Sequence, residues 1–337
     1  MKLSLLDKLT AVGGISGDEN AVAQAIIGEI DGHCRWELDP LGNLLVWKEG
    51  KKERETPLLL CAHMDEVGLM VSHITDEGYL RFVTIGGIDS RVLLGRQVSV
   101  GKDGLRGVIG CKAVHQTGDE ERGKAVPADK LLIDIGASGR EEAESMVQVG
   151  DSVTFISDFE RLGGRRIKGK AIDDRFGCAV LIQLIRSELP YSTMFAFTVQ
   201  EEIGSAGAQT AAFRTKPGRA VIIESTSAGD LPGVSAPKDC CGLGRGAVVP
   251  FMDKGTLYDR TFYKEVLALA KEKGIPVQTK TVVCGRNDAA PVHVSREGVP
   301  SVAISIPCRY LHTPCCVADE QDMEVVEALV SAIVERE

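Results

Sequence analysis

Short apolar runs alternate with amphipathic stretches at both ends of the chain. Pro57–Cys61, Thr193–Val199, Ala220–Ile223, Val277–Val283 and Ser301–Ile306 read as strands, several of them unbroken enough to be buried. Between these runs the period changes to that of helices. Val22, Ile26, Ile27 and Ile30 share one face, so a helix to about residue 30 is expected. Ser16-Gly17-Asp18-Glu19 before it has capping-box spacing, with Ser16 at the N-cap. Cys178, Leu181, Ile182 and Ile185 mark the apolar face of a helix over Asp173–Leu189. Further helices are predicted over Ala206–Phe213, Tyr258–Lys273 (ended by Gly274), Asp288–Arg296 and Asp322–Glu337. Arg35–Leu38 and Asn43–Trp47 flank Asp39-Pro40-Leu41-Gly42 and read as a hairpin.

From about residue 70 to 160 the texture differs. Strand-like runs recur at Tyr79–Ile85, Arg96–Val100, Gly107–Cys111, Leu131–Ile135 and Asp151–Phe155, and only Arg140–Val147 looks helical. The pattern predicts an α/β fold with a small inserted β-rich domain. Residues 1–69 and 162–337 would form the α/β domain, and residues 70–161 the insert. Gln116–Asp129 is polar and charged. It reads as a loop, a candidate for lining an entrance or touching a neighbouring subunit.

Composition narrows the class. The chain has 337 residues, 44% hydrophobic and 26% charged, as in a globular protein with room for a large core. Its net charge of −9 argues against a nucleic-acid partner. No apolar run approaches the ~20 residues of a membrane span, and the N-terminus meets charge too early for a signal peptide. The ten cysteines are scattered without a C-x-x-C pair, which favours reduced thiols and a cytoplasmic location.

The chemistry gathers where strands end. Glu201 and Glu202 follow the run ending at Val199. Because successive strand residues point to opposite sides, the two carboxylates are expected to have different roles. His63, Asp173, Glu224 and His312 sit at comparable strand ends or strand–helix turns, as in a site built on the carboxyl ends of parallel strands. Two His and several carboxylates suit Zn²⁺, Co²⁺ or Mn²⁺. The set is large enough for two ions, one bridging carboxylate and one residual base. Asp173 is preferred to Asp174 as the bridge, since Asp174-Arg175 also reads as an ion pair. His33 and His73 read as surface or packing residues, and His115 and His293 as structural. Cys308, Cys315 and Cys316 read as pocket or core thiols.

Several ordered segments resemble the tetrahedral (TET-type) metallo-aminopeptidase family, which includes glutamyl aminopeptidases and CelM-like proteins. They are Ala62-His63-Met64-Asp65-Glu66-Val67-Gly68, Gly169-Lys170-Ala171-Ile172-Asp173-Asp174-Arg175-Phe176-Gly177, Glu201-Glu202-Ile203-Gly204-Ser205-Ala206-Gly207-Ala208 and Arg309-Tyr310-Leu311-His312-Thr313-Pro314. Leu131-Leu132-Ile133-Asp134-Ile135-Gly136-Ala137 in the insert is a further match, and the resemblance runs from about residue 3 to the end. It implies a co-catalytic metallopeptidase α/β/α sandwich of the phosphorylase/hydrolase-like kind. His63 and Glu224 would bind one ion, Glu202 and His312 the other, and Asp173 both. Asp65 would orient the His63 imidazole, and Glu201 would be the general base. The insert, expected far from these ligands, would serve assembly into dimers and a dodecamer that admits short peptides. Three departures stand out. Glu224 replaces the family's usual Asp. Cys284-Gly285-Arg286-Asn287-Asp288 replaces a Gly-Gly-Thr-Asp pattern, with Arg286 hinting at an acidic substrate side chain. Thiols surround His312.

The function expected is a metal-dependent aminopeptidase that removes N-terminal residues from short peptides with two divalent ions, zinc or cobalt with manganese as an alternative. A dimetal hydrolase of acylated amino acids or small amides would use the same ligands. A CelM-like glycanase needs two carboxyls ~5–9.5 Å apart flanking a bond, which adjacent glutamates do not supply and which leaves both His idle.

Overall fold

The computed structural model describes residues 3–118 and 123–336. An eight-stranded mixed sheet forms its centre. Four parallel strands lie side by side in the order Thr193–Thr198, Leu58–His63, Arg219–Ser227 and Ser301–Cys308. The hairpin Arg35–Leu38 with Leu44–Lys48 extends one edge, antiparallel to Thr193–Thr198. Ala247–Pro250 and Val277–Lys280 extend the other.

Every residue of Leu58–His63 is buried, and alternation sends its side chains to two cores. Leu58, Leu60 and Ala62 join the cluster under the helices Leu3–Ala11, Asn20–Ile30, Ile172–Arg186, Arg260–Lys273 and Glu320–Glu335. Leu59 and Cys61 join the cluster under Ala206–Thr215 and Ala289–Val292. Helices on both faces leave only the strand ends open, and the parallel strands all end on one side. Glycine and aspartate set several limits. Asp259 accepts the Phe262 amide at 2.7 Å to start Arg260–Lys273, and Gly274 ends it in a left-handed conformation (φ 66°).

Five residues after His63, at Gly68, the chain enters a closed six-stranded barrel. Its strands are Gly68–Ile74, Leu80–Ile85, Gln97–Val100, Leu105–Gly110, Leu132–Asp134 and Ser152–Phe155, with a core of its own. The first of these strands is absent from the sequence reading, and the helix there spans Arg140–Met146. The chain returns through Glu160–Leu162 and Arg166–Gly169, which pair with Cys316–Asp319 in a separate three-stranded sheet. Gly169 stands opposite Cys316, so the segment before Asp173 is fastened to the segment after His312. The proposed loop Gln116–Asp129 includes residues 119–122, which lie outside the described residues. Its flanks form short 3₁₀ turns at Val114–Gln116 and Ala128–Lys130.

Several boundaries differ from expectation. Leu3–Ala11, Ala247–Pro250 and the three-stranded sheet are elements that the sequence reading lacks. Val277–Lys280 and Ala289–Val292 are shorter than predicted, because the cleft-lining segment between them does not pair with the sheet. Ser16 is not an N-cap. The helix begins at Asn20, and its preceding residue Glu19 makes no side-chain cap. Ser16 instead donates to Asp65 Oδ2 at 2.6 Å.

Candidate metal centre and cleft

The parallel strands deliver their last residues to one place. His63 ends its strand opposite Thr198. Glu224 lies two residues past Ile222, which pairs with Cys61. Asp173 opens the helix Ile172–Arg186 but, like Asp174, departs from helical dihedrals there. His312 sits in the loop that follows Ser301–Cys308.

These groups converge. His63 Nε2 stands 3.4 Å from Asp173 Oδ1 and 3.3 Å from Glu224 Oε1. His312 Nε2 stands 3.4 Å from Asp173 Oδ2 and 3.4 Å from Glu202 Oε2. Asp173 therefore faces one imidazole with each oxygen. Donor atoms of His63, Asp173 and Glu202 lie within 4.8 Å of one another, as do those of His63, Asp174 and Glu224. Glu201 belongs to neither group. Among the described residues its carboxylate has one side-chain partner, the Ser205 hydroxyl at 3.5 Å.

The two glutamates are not alternating strand residues, contrary to expectation. The strand ends at Thr198, and Glu201 and Glu202 lie in the following turn. Their divergence comes from that turn, whose amides are held by buried acids. Gln200 N donates to Glu19 Oε1 at 3.1 Å, Glu201 N to Asp65 Oδ1 at 3.0 Å, and Glu202 N to Asp65 Oδ2 at 3.1 Å. Gln200 and Ser205, which bracket the turn, both have left-handed φ values of about 60°, as does His312. Such conformations in non-glycine residues are held by their surroundings and cluster at functional sites. Asn43, fully buried, accepts the Val199 amide at 3.0 Å and donates to the Gly207 carbonyl at 3.0 Å, clamping the turn from outside.

Asp65 thus does more than orient an imidazole. The nearest partner of His63 Nδ1 is the Asp65 main-chain carbonyl at 2.9 Å, with Oδ1 at 3.4 Å. His312 Nδ1 bonds the Gly87 carbonyl at 2.9 Å. Gly87 follows a barrel strand, so the insert is not far from the site. It helps to set the orientation of one imidazole. The suggested Asp174–Arg175 ion pair does not form. Arg175 is buried and donates to the carbonyls of Met64, Leu9 and Val12 at 2.6–2.8 Å. Asp174 is buried beside Glu224 and His63.

The electrostatics are those of a cluster with too much negative charge for its burial. Burial, reinforced by neighbouring carboxylates, pushes Glu202 up to about 7 and Glu224 up to about 8 against the pull of nearby imidazoles. Glu201 is raised well above the usual range, chiefly by burial. Burial also opposes the charge of His312, yet hydrogen bonding to Asp173 and the charge of Glu202 lift it to about 10. Burial works against ionised Asp173 too, but the facing His312 and His63 imidazoles hold it below the usual range. Four buried carboxylate oxygens have no hydrogen-bond partner among the described residues: Asp173 Oδ1, Asp174 Oδ2, Glu224 Oε2 and Asp288 Oδ1. Buried charged oxygens are ordinarily paired or bound to metal. The two-His, multi-carboxylate donor set with orphaned oxygens fits divalent ions of the zinc, cobalt or manganese kind.

The sequence reading gives Asp174 only as the less favoured bridge and Glu19 only a capping role, and it assigns no site role to Asp288. Asp288 accepts from Thr198 Oγ1 at 2.5 Å within the same cluster. Its signal was present in Asn287-Asp288-Ala289, an acid among small residues before a helix. The site opens into a cleft of about 500 Å³, lined on its far side by Asp253, Lys280, Cys284, Gly285, Arg286 and Asn287.

The chain matches the M42 glutamyl aminopeptidase family over residues 42–329. It is 31% identical to the lysyl aminopeptidase of Pyrococcus furiosus over 98% of this chain and 96% of that protein. Among solved structures, the TET aminopeptidase of Thaumarchaeota archaeon SCGC AB-539-E09 superposes with a TM-score of 0.95 at 35% identity, covering 99% of this chain and 96% of that one. The Pyrococcus horikoshii TET1 peptidase, described as assembling into a tetrahedron or a large octahedral shell, gives a TM-score of 0.89 at 35% identity over 99% of both chains.

Proposed function

The chain belongs to the M42 glutamyl aminopeptidase family of metal-dependent peptidases, and from that premise we propose that it works with two divalent ions held by the residues above. The observation that carries this reading is Asp173, whose two oxygens face His63 and His312 separately. His63 with Glu224 would hold one ion, His312 with Glu202 the other, and Asp173 both. Zinc or cobalt suits the donors best, with manganese as the alternative. When bound, the ions supply Lewis acidity toward the scissile carbonyl and toward water.

The protein's own groups do the rest. The Glu201 carboxylate, whose one side-chain partner among the described residues is the Ser205 hydroxyl at 3.5 Å, has an elevated proton affinity. It takes a proton from the attacking water and returns it to the leaving amine. Asp65 and Glu19 keep the Glu201–Glu202 turn in place by its amides. The acidic floor favours a free α-ammonium group, which confines cleavage to the first residue. The cleft, about 500 Å³, accommodates the end of a short peptide.

We assign residues 70–161 to assembly as an inserted domain. Val83, Val108, Val114 and Val149 are exposed apolar residues on it, as expected of a contact surface. A homo-oligomer of dimers, a dodecamer in full, is the expected state, and the reported shells of the Pyrococcus horikoshii peptidase support it. The ten cysteines are all free, which supports a reducing compartment, the cytoplasm. No described helix is long and apolar enough to cross a membrane.

The test is a panel of aminoacyl-anilides and their N-acetyl counterparts, assayed on metal-stripped protein and after reloading with Zn²⁺, Co²⁺ or Mn²⁺. Free-amine substrates should turn over only after reloading. Glu201→Gln should lower kcat about 10²–10⁴-fold with metal content unchanged. Preferred cleavage of the acetylated set would instead identify an acyl-amino-acid hydrolase.

A further inference from the structure

The candidate ligands are not all placed in the same way. His63 and Glu224 stand in the strands Leu58–His63 and Arg219–Ser227, and Glu202 lies in the turn that Asp65 holds by its amides. His312 has neither support. It lies in a loop, residues 310–316, beyond the strand that ends at Cys308. Tyr310 (φ 57°) and His312 (φ 58°) both take left-handed conformations there. Non-glycine residues keep such dihedrals only where their surroundings hold them.

Arg309 closes the neck of that loop. Its amide donates to the Val317 carbonyl at 2.9 Å, and the Val317 amide donates back to the Arg309 carbonyl at 3.0 Å. Its guanidinium reaches a different segment. Nε donates to Asp230 Oδ1 and Nη2 to Asp230 Oδ2, at 2.8 Å each. Such a two-point fork fixes direction as well as distance. The two side chains are 27% and 10% exposed, so solvent competes only weakly for the contact. Asp230 is anchored in turn. Its Oδ2 accepts the Leu243 amide at 3.0 Å, and beside it the Gly229 amide donates to the Cys241 carbonyl at 2.9 Å. The place of this pair matters more than its strength. The strands Arg219–Ser227 and Ser301–Cys308 pair as far as Ser227 opposite Cys308. The first carries Glu224 and the second leads to His312. Where the two segments leave the sheet, Asp230 and Arg309 take over the task of joining them. Ser225–Ser227 on one segment and Leu311 and His312 on the other line the cleft.

We infer that Arg309, clamped by Asp230, is a positioning residue for His312, an inference that rests on the two-ion reading above. The clamp sets where the His312 imidazole stands relative to Asp173 and Glu202, and with it the affinity for the ion that these three would share. It acts through the main chain of the loop and contributes no ligand atom. The placing of His63 and Glu224 does not depend on it, because the sheet holds both.

Calorimetric titration of metal-stripped protein with Zn²⁺ is the first test. Arg309→Met should weaken one of the two binding steps about 10-fold, the lower end of what losing a ligand's outer partner costs, and leave the other unchanged. Asp230→Asn should do the same, and the double variant should be no weaker than either single one, as for two halves of one contact. Arg309→Lys should recover only part of the loss, since an ammonium cannot make the fork. In a His312→Ala background, Arg309→Met should weaken neither step further. Hydrogen exchange on metal-stripped protein reads the clamp without ion or turnover. Amides of residues 310–317 should exchange faster in Arg309→Met, and those of Leu58–His63 at the wild-type rate, which also shows that the variant folds. Asp230→Asn, which keeps the shape of the acid, carries both tests if Arg309→Met does not fold. Equal weakening of both steps, additive losses in the double variant, or unchanged exchange over residues 310–317 overturns the inference. A wild-type protein that binds a single ion refutes the two-ion reading instead, and faster exchange confined to residues 310–317 then still upholds the clamp.

Discussion

Replacing Glu66 with Gln removes one charge from a buried triad beneath the site. Glu66 Oε1 lies 2.6 Å from Lys170 Nζ and 3.6 Å from Arg175 Nη2, and the three side chains are 3%, 7% and 0% exposed. Coulomb's law at an effective dielectric of about 20 gives about 6 kcal/mol for the Lys170 contact. The loss is smaller, because Lys170 can deprotonate once its partner is neutral. From an ordinary lysine value near 10.4, that costs about 4–5 kcal/mol at pH 7. The retained amide recovers about 1 kcal/mol as a hydrogen bond, leaving a destabilisation of about 3–4 kcal/mol, in line with other broken buried pairs. The pH dependence has a definite sign. Burial already lowers the Lys170 pKa, Glu66 raises it and Arg175 lowers it, so losing Glu66 depresses it further. A cation depressed in the folded state destabilises most below that folded pKa and less as pH rises toward the unfolded value. The gap between wild type and Glu66→Gln should therefore be widest near pH 7 and shrink toward pH 10. Urea unfolding at matched protein and metal concentrations measures it, and Glu66→Gln/Lys170→Met should recover most of the loss. A gap below about 1 kcal/mol, or one that does not change between pH 7 and pH 10, would refute the triad's role.

Glu224→Asp should retain activity, whereas Glu224→Ala should lose one ion per subunit; two ions retained by the Ala variant in titrated metal content would make Glu224 a bystander. Glu19→Ala removes the acceptor of the Gly17 and Gln200 amides, at 2.8 Å and 3.1 Å, and should lower kcat about 10-fold, since small misplacements of a base are costly. Unchanged kcat there would separate the turn from catalysis. Light scattering should show an oligomer at micromolar concentration, and a fully active monomer would remove the barrel's assembly role.

Much of this architecture can be read from periodicity, and the exceptions have physical causes. Runs such as Leu58–His63 are buried on both faces, so their apolar character is continuous and their ends are plain. Glu160–Leu162 is exposed throughout and pairs only with its hairpin partner, so no apolar pattern marks it. Ala247–Pro250 has four residues, too few for a period to register. The helix Leu3–Ala11 does carry a signal, since Leu5, Leu6 and Leu9 are buried on one face, but its 9 residues give it little more than two turns of periodicity. The candidate ligands were legible for the same reason as the strands. Each stands at the end of an apolar run or at a strand–helix turn, and the fold brings those ends together.

The supporting groups were harder to read, because a side chain's type shows what it can bond to but not where that partner lies. Ser16 and Glu19 have the spacing of a capping box, and both do bond within the site region. Their partners, Asp65 and the Gln200 amide, are far away in sequence. Asp65 makes the same point from the other side. Its place two residues after His63 suggests service to that imidazole, yet its carboxylate chiefly holds the amides of Glu201 and Glu202. One acid thus ties the Glu201–Glu202 turn to the His63 loop, which itself runs into the barrel at Gly68. The His312 loop is tied to the same barrel through Gly87 and to the Asp173 segment through the pairing of Gly169 with Cys316. Four candidate segments from distant parts of the sequence are therefore cross-braced before any ion is considered. That explains how a cluster with four buried carboxylate oxygens lacking a hydrogen-bond partner among the described residues can be kept in one geometry.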